Sequence, residues 1–147
     1  MFPKPRTIPD MKRHLLFEVI EQVKATKKRQ EKIDILHTNM CPGLAGILRM
    51  NFDHTLELDI NLDLQYRERR ERDFLDTLNH SSQMWRSFTK QSSIPQSRKN
   101  IRLRAMLESL EPREARLFLD AAKQNIRLGI SKATLKRCFP QIFKSMN

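Results

Sequence analysis

Residues 101–139 read IRLRAMLESLEPREARLFLDAAKQNIRLGISKATLKRCF, and this stretch decides the fold. Leu103, Met106, Leu107 and Leu110 recur at the i, i+3, i+4, i+7 spacing that lines one face of an α-helix, while Arg98, Arg102 and Glu108 fall elsewhere on its surface. Glu111-Pro112 then restarts the chain. Proline suits a first helical position, where the missing N–H would have had no intrahelical partner. Ala115, Phe118, Leu119 and Ala122 repeat the spacing in a second helix. Leu128-Gly129 is expected to end that helix, and Ser131 to cap a third with Leu135, Cys138 and Phe139 inward and Pro140 as its stop. Short helices with one apolar stripe each are not stable alone. They must pack on one another and on the N-terminal half, which predicts an all-α fold: a compact bundle of about six short helices.

Working outward, residues 1–9 hold Pro3, Pro5 and Pro9 and read as an extended lead. The rest, 10–147, reads as a single helical domain. Asp10 is placed to cap a first helix with Leu15, Leu16, Val19, Ile20 and Val23 inward. Thr26 is placed to cap a second, with Ile33, Leu36 and Met40 inward. The turn Cys41-Pro42-Gly43 leads to a third with Leu44, Ile47, Leu48 and Phe52, closing an N-terminal helical section over 10–52. No internal repeat of fixed period is visible.

Residues 53–64 break the rhythm. Leu56, Leu58, Ile60, Leu62 and Leu64 alternate strictly with Glu57, Asp59, Asn61 and Asp63. A period of two means an extended segment with one apolar face. No other stretch offers a strand partner of similar quality, so the segment is expected to lie as a strap over the helices or to offer an edge to a partner chain. C-terminal helices are expected over 65–147. Residues 66–79 read as helical with Phe74, Leu75 and Leu78 inward and Arg67, Arg69, Arg70 and Arg72 alternating with Glu68, Glu71 and Asp73. Trp85 and Phe88 continue the apolar set, 91–97 reads as a loop, and Ser97 is placed to cap the helix at 101–110.

The 147 residues suffice for one real core, with 39% hydrophobic and 31% charged residues. Three glycines argue against a phosphate-cradling loop design. The net charge of +11 and pI near 10.2 favour a negatively charged partner: nucleic acid, an acidic protein surface or an anionic membrane. The plainer alternative is a solvated basic surface. Cys41 and Cys138 fit reduced thiols of a cytosolic protein better than a bridge. No apolar run approaches the ~20 residues of a membrane span, which argues against a membrane partner. The start Met1-Phe2-Pro3-Lys4-Pro5-Arg6 has no apolar signal region, so a cytoplasmic chain is expected.

Little in the sequence points to catalysis. His14, His37, His54 and His80 are not spaced with one another or with cysteine as metal ligands, so neither metal nor cofactor is expected. Asp53, Glu57, Asp59 and Asp63 offer carboxylates for Mg²⁺, but their simpler reading is the solvent-facing half of the strap. The basic residues are the better lead. They form three clusters: Lys24, Lys27, Lys28, Arg29 and Lys32; Arg98, Lys99, Arg102 and Arg104; and Arg116, Lys123 and Arg127 with Lys132, Lys136 and Arg137. On helices Arg98 and Arg102 share a face, as do Lys132 and Lys136. Such stripes neutralise phosphates and give affinity without sequence choice. The last two helices loosely resemble a helix-turn-helix, with the helix from Ser131 facing a groove, although the connection is longer than usual.

Several strings are familiar together: LLFEVIEQV at 15–23, EKIDIL at 31–36, GILRMNFD at 46–53, MLESLEPREA at 106–115 and CFP at 138–140. In this order they resemble a family of small proteins encoded by T4-like tailed bacteriophages, to which no activity is attached. The resemblance implies a phage protein made in the host bacterial cytoplasm, with no catalytic residues to carry over. Two departures stand out: the family has a Gly/Pro-rich loop where this chain has the acidic strap, and its last helices are less basic.

The leading expectation is thus a non-enzymatic basic protein that binds nucleic acid, or the machinery acting on it, through Lys27, Lys28, Arg29, Arg98, Lys99, Arg102, Lys132, Lys136 and Arg137. The alternative is an adaptor or virion component that binds a phage or host protein, such as RNA polymerase, through Leu56, Leu58, Ile60, Leu62 and Leu64. A third, an enzyme using the acids at 53–63, would need Mg²⁺.

Overall fold

The structure, a computed structural model, describes residues 15–144. The lead at 1–9, the cap expected at Asp10 and His14 lie outside the described residues. Among the described residues the architecture is all-α, with no strand and eight α-helices. In chain order these are α1 (Leu16–Ala25), α2 (Arg29–Thr38), α3 (Pro42–Phe52), α4 (Leu78–Ser81), α5 (Gln96–Ser109), α6 (Pro112–Ala122), α7 (Lys132–Cys138) and α8 (Pro140–Lys144). A 3-10 helix, Ser82–Phe88, follows α4 directly.

The apolar stripes behave as their spacing requires. Leu16, Val19, Ile20 and Val23 of α1, Leu44, Ile47 and Leu48 of α3, and Leu103, Met106, Leu107 and Leu110 of the α5 end are all buried in one core. Phe118 of α6 sits at its centre, with the Trp85 and Phe88 rings 5.2 and 6.1 Å from its own. The approach of Trp85 depends on Gly46: a Cβ there would lie 2.5 Å from the indole.

α1 is capped from a distance. Leu15 precedes it and has no side-chain acceptor to offer. Glu114 of α6 supplies one instead, taking the Leu16 N–H at 3.1 Å and the Phe17 N–H at 2.6 Å. These are two of the donors that every helix start leaves unmet. Glu114 is 1% exposed, and burial pushes its carboxyl up to about 7 despite those bonds.

The segment at 53–64 is extended, as its period demands. Leu58 pairs with Thr89 in an isolated antiparallel bridge, through Asp59 N to Phe88 O at 2.7 Å and Lys90 N to Glu57 O at 3.0 Å. Leu56, Leu58, Ile60 and Leu64 pack against the core and Leu62 is half-buried.

Four local expectations fail, each for a physical reason. Residues 66–77 are not helical, and α4 starts only at Leu78. The run 67–73 is charged all round and has no stripe to hold it on a core. Tertiary bonds shape it instead: Arg67 N to Glu108 Oε2, Arg69 Nε to the Glu108 carbonyl, and Leu75 N to the Ser109 carbonyl. Arg72 takes the left-handed conformation at φ 65°, and Leu75 turns outward, 75% exposed. Thr26 does not cap α2; its hydroxyl donates back to the Gln22 carbonyl and closes α1. Ser97 lies inside α5, whose N-cap is Pro95. Finally α6 ends at Ala122 rather than at Leu128-Gly129, because Gln124 at φ 59° breaks the helix first.

The connection after α6 is held by the end of α3. Asn51, buried, donates its Nδ2 to the Ile126 carbonyl and accepts the Ile126 N–H, both at 2.9 Å. Gln124 donates to the carbonyls of Met50 and Asp53. Two polar side chains thereby do for residues 124–126 what a neighbouring strand would do.

Candidate nucleic-acid interface

The structure sorts the basic residues by whether a carboxylate reaches them. The strap acids take several. Asp59 Oδ2 lies 2.8 Å from Lys99 Nζ, Glu57 Oε2 lies 3.4 Å from Lys90, and Asp63 Oδ1 lies 3.3 Å from Lys123. Downstream, Glu68 holds Arg116 through two parallel bonds at 2.8 and 2.9 Å, and the arginine keeps that carboxyl below its usual range. Of the acids considered for Mg²⁺, Glu57, Asp59 and Asp63 therefore point to different cations, while Asp53 is buried and accepts the N–H and hydroxyl of Thr55. Among the described residues no three His, Cys, Asp or Glu side chains gather where an ion would sit.

Lys99 requires a correction. Its spacing suggested an exposed phosphate contact, but it is 1% exposed. Its ammonium donates to Asp59, to the Thr89 carbonyl at 2.7 Å and to the Ser92 carbonyl at 3.3 Å, which uses all three protons. At one turn before Leu103 it lies on the core face of α5, where the sequence alone shows only a lysine. Lys32 is likewise buried, donating to the Leu128 carbonyl at 2.6 Å.

That Lys32 bond joins the first and third clusters. It lays α2 beside the chain at 128–139, an arrangement repeated at the other end, where the His37 ring lies 4.3 Å from that of Phe139. Gly129, at φ 74°, leaves room for the ammonium: a Cβ there would come within 2.9 Å of it. Lys28 is one turn before Lys32, so Lys27, Lys28 and Arg29 lead into the helix that Lys32 ties to the Leu128 carbonyl, next in sequence to Arg127. Lys136 and Arg137 are exposed on α7 and Lys132 is half-exposed. None of these seven cations has a carboxylate partner among the described residues. α2 also exposes Glu31 and Asp34, so the cationic region is its N-terminal end.

Two further features favour a polyanion here. Lys28 and Arg29 begin α2 and Lys132 begins α7, ends where the helix dipole disfavours positive charge and welcomes phosphate. The chain also carries no Asp or Glu from residue 121 to residue 147. Arg127, which the sequence groups with the third basic cluster, lies in this acid-free run.

Arg98 and Arg102 do not join this face. They lie on the outer side of α5, which packs on α6 and the 3-10 helix. Of the strap residues considered for protein binding, Leu56, Leu58, Ile60 and Leu64 pack on the chain's own core and Leu62 is half-buried. The helix-turn-helix likeness is weak in the structure: α7 has seven residues, and nine residues separate it from α6. Cys41 and Cys138 are free and half-buried. No helix of the described residues is long and apolar enough to cross a membrane.

A groove of about 360 Å³ opens between α1 and α6, floored by Phe17, Ile20 and Leu117. Its rim carries Lys24, Arg113 and Arg116 against Glu21 and Asp120, and both arginines are already bound, to Glu111 and Glu68. Comparison with protein-family models, with curated proteins and with solved structures found no match, and thus none bearing on the resemblance to T4-like phage proteins.

Proposed function

We propose that this chain binds nucleic acid without catalysis, through the backbone phosphates, on the face built by the α1–α2 corner, Arg127 and α7. The observation that carries the reading is the Lys32–Leu128 bond, which ties the segment bearing one basic cluster to the segment bearing another, with seven cations on the two that have no carboxylate partner among the described residues. Lysine and arginine side chains at exposed positions suit phosphate contacts, which position a strand and do not read bases. Trp85, Phe88, Phe118 and Phe139 are buried and offer bases no stacking platform. Binding is therefore expected to be insensitive to sequence and steeply dependent on salt. Among the described residues the one carboxyl pushed far from its ordinary range, Glu114, caps a helix and is buried.

The test is fluorescence anisotropy with labelled duplex and single-stranded oligonucleotides at low ionic strength. The Lys136→Glu/Arg137→Glu variant should lose affinity by about tenfold or more, and Arg98→Glu/Arg102→Glu by much less. No binding by the wild-type chain at low salt, or equal losses in both variants, refutes the proposal.

A further inference from the structure

The second cationic face has a different character. From residue 77 to residue 107 the chain holds no Asp or Glu. Its lysines are engaged: Lys90 with Glu57 and Lys99 with Asp59. Four exposed arginines remain, Arg86, Arg98, Arg102 and Arg104, without a carboxylate partner among the described residues. Arg104 gives only its Nε, to the Gln65 carbonyl.

Of the three large apolar side chains that the described residues leave exposed, Ile101 at 69% and Leu75 at 75% lie along α5, and Met84 at 37% belongs to the 3-10 helix. Ile101, Ala105 and Ser109 stand one above another on α5, at i, i+4 and i+8. Leu75 closes the row, since its N–H donates to the Ser109 carbonyl at 2.8 Å. Arg98 and Arg102 flank Ile101 by three positions and one. Met84 and Arg86 belong to the 3-10 helix that packs against α5. The row from Ile101 to Ser109 spans about 12 Å, a little over two helical turns.

We infer that this outer face of α5 docks an acidic amphipathic helix of a protein partner, its apolar side on Ile101, Ala105 and Leu75 and its carboxylates on Arg98 and Arg102. Arginine and methionine are enriched in protein interfaces and lysine is depleted; the unpaired cations here are all arginine, whereas those at α2 and α7 are four lysines and three arginines. Bidentate arginine–carboxylate pairing also fixes orientation in a way a lysine point charge does not. A second copy of this chain is a poor occupant, because a two-fold contact would set Arg98 and Arg102 against their own duplicates. Nucleic acid gains nothing from a central Ile101 and Leu75. The footprint is small, which suits a weak, transient contact. The inference does not depend on nucleic-acid binding at the other face.

The probe is a synthetic helical peptide of about four turns, leucine on one side and glutamate flanking it, against ¹⁵N-labelled protein. Saturable amide shifts should map to 98–105 and Leu75, in the micromolar to high-micromolar range. Ile101→Ser and Arg98→Gln/Arg102→Gln should each weaken binding at least about tenfold. Lys136→Glu/Arg137→Glu should leave it unchanged. All these positions are exposed or half-exposed, and an unchanged amide spectrum elsewhere verifies the fold. Four results overturn the inference: no shifts at millimolar peptide; equal binding by a scrambled peptide or by its glutamine analogue; oligonucleotide shifts centred on 98–105; and concentration-dependent self-association abolished by Ile101→Ser.

Discussion

Replacing Lys99 by methionine isolates the interaction that ties the strap to α5. Methionine keeps most of the stem volume and removes the ammonium. Three acceptors then lose their donor: Asp59 Oδ2, the Thr89 carbonyl and the Ser92 carbonyl. Removing one partner of a buried pair costs about 3–5 kcal/mol. Asp59 is 28% exposed and keeps the Gln96 amide on its other oxygen at 3.0 Å, so water and Gln96 soften the loss. The expected cost is about 3 kcal/mol, or roughly 10 °C in Tm for a chain of this size. Asp59→Asn should cost less, about 2 kcal/mol, because the ammonium retains two carbonyls and an amide oxygen. In the double variant the losses should fall short of their sum by about 1–2 kcal/mol. Urea unfolding followed by far-UV circular dichroism gives all four corners of the cycle. A Lys99→Met protein within about 0.5 kcal/mol of wild type refutes the reasoning. So does a variant of unchanged stability that loses oligonucleotide affinity, which would return Lys99 to the surface.

Three further outcomes follow from the packing. Glu114 titrates near 7 when folded against 4.5 for the free side chain, so the folded state holds the proton more tightly. The stability this contributes is complete below pH 4.5 and lost as pH rises through 7, a span of roughly 3 kcal/mol. The wild-type chain should therefore gain on Glu114→Gln as pH falls across that window, and parallel pH profiles would disprove it. Asn51→Ala strands the buried N–H and carbonyl of Ile126 and should cost about 2–4 kcal/mol in chemical denaturation; a loss below about 1 kcal/mol means another group holds the connection. Gly46→Ala forces its methyl against Trp85 at 2.5 Å, and should cost about 1–3 kcal/mol and shift the emission of the single tryptophan; an unchanged spectrum and midpoint contradict that packing.

Much of the fold was legible because burial obeys periodicity. The faces of α1, α3, α5 and α6 carried their apolar residues at helical spacing, and the strap carried its own at a spacing of two. Ser131 and Pro112 marked helix starts correctly, Ser131 by accepting the Thr134 N–H at 3.1 Å. What failed depends on distant partners. Thr26 and Ser97 looked like caps by local chemistry, yet α1 is capped by Glu114 from 98 positions away. Residues 66–77 have helix-forming side chains but no stripe, and Glu108 and Ser109 fix them otherwise. Of the candidate cations, spacing could not show that Lys99 faces the core or that Arg98 and Arg102 belong to another face. It also could not show that α2 lies beside 128–139, which rests on the Lys32–Leu128 bond and the His37–Phe139 contact.

The salt dependence of oligonucleotide affinity tests the cationic face most directly. If about four to six of Lys27, Lys28, Arg29, Arg127, Lys132, Lys136 and Arg137 meet phosphates, the logarithm of affinity for duplex DNA should fall against the logarithm of salt with a slope of about −4 to −5. Lys136→Gln/Arg137→Gln should make that slope shallower by roughly 2, and Arg98→Gln/Arg102→Gln should leave it unchanged. A slope near zero, or one that responds only to Arg98 and Arg102, contradicts a phosphate-binding face at α2 and α7.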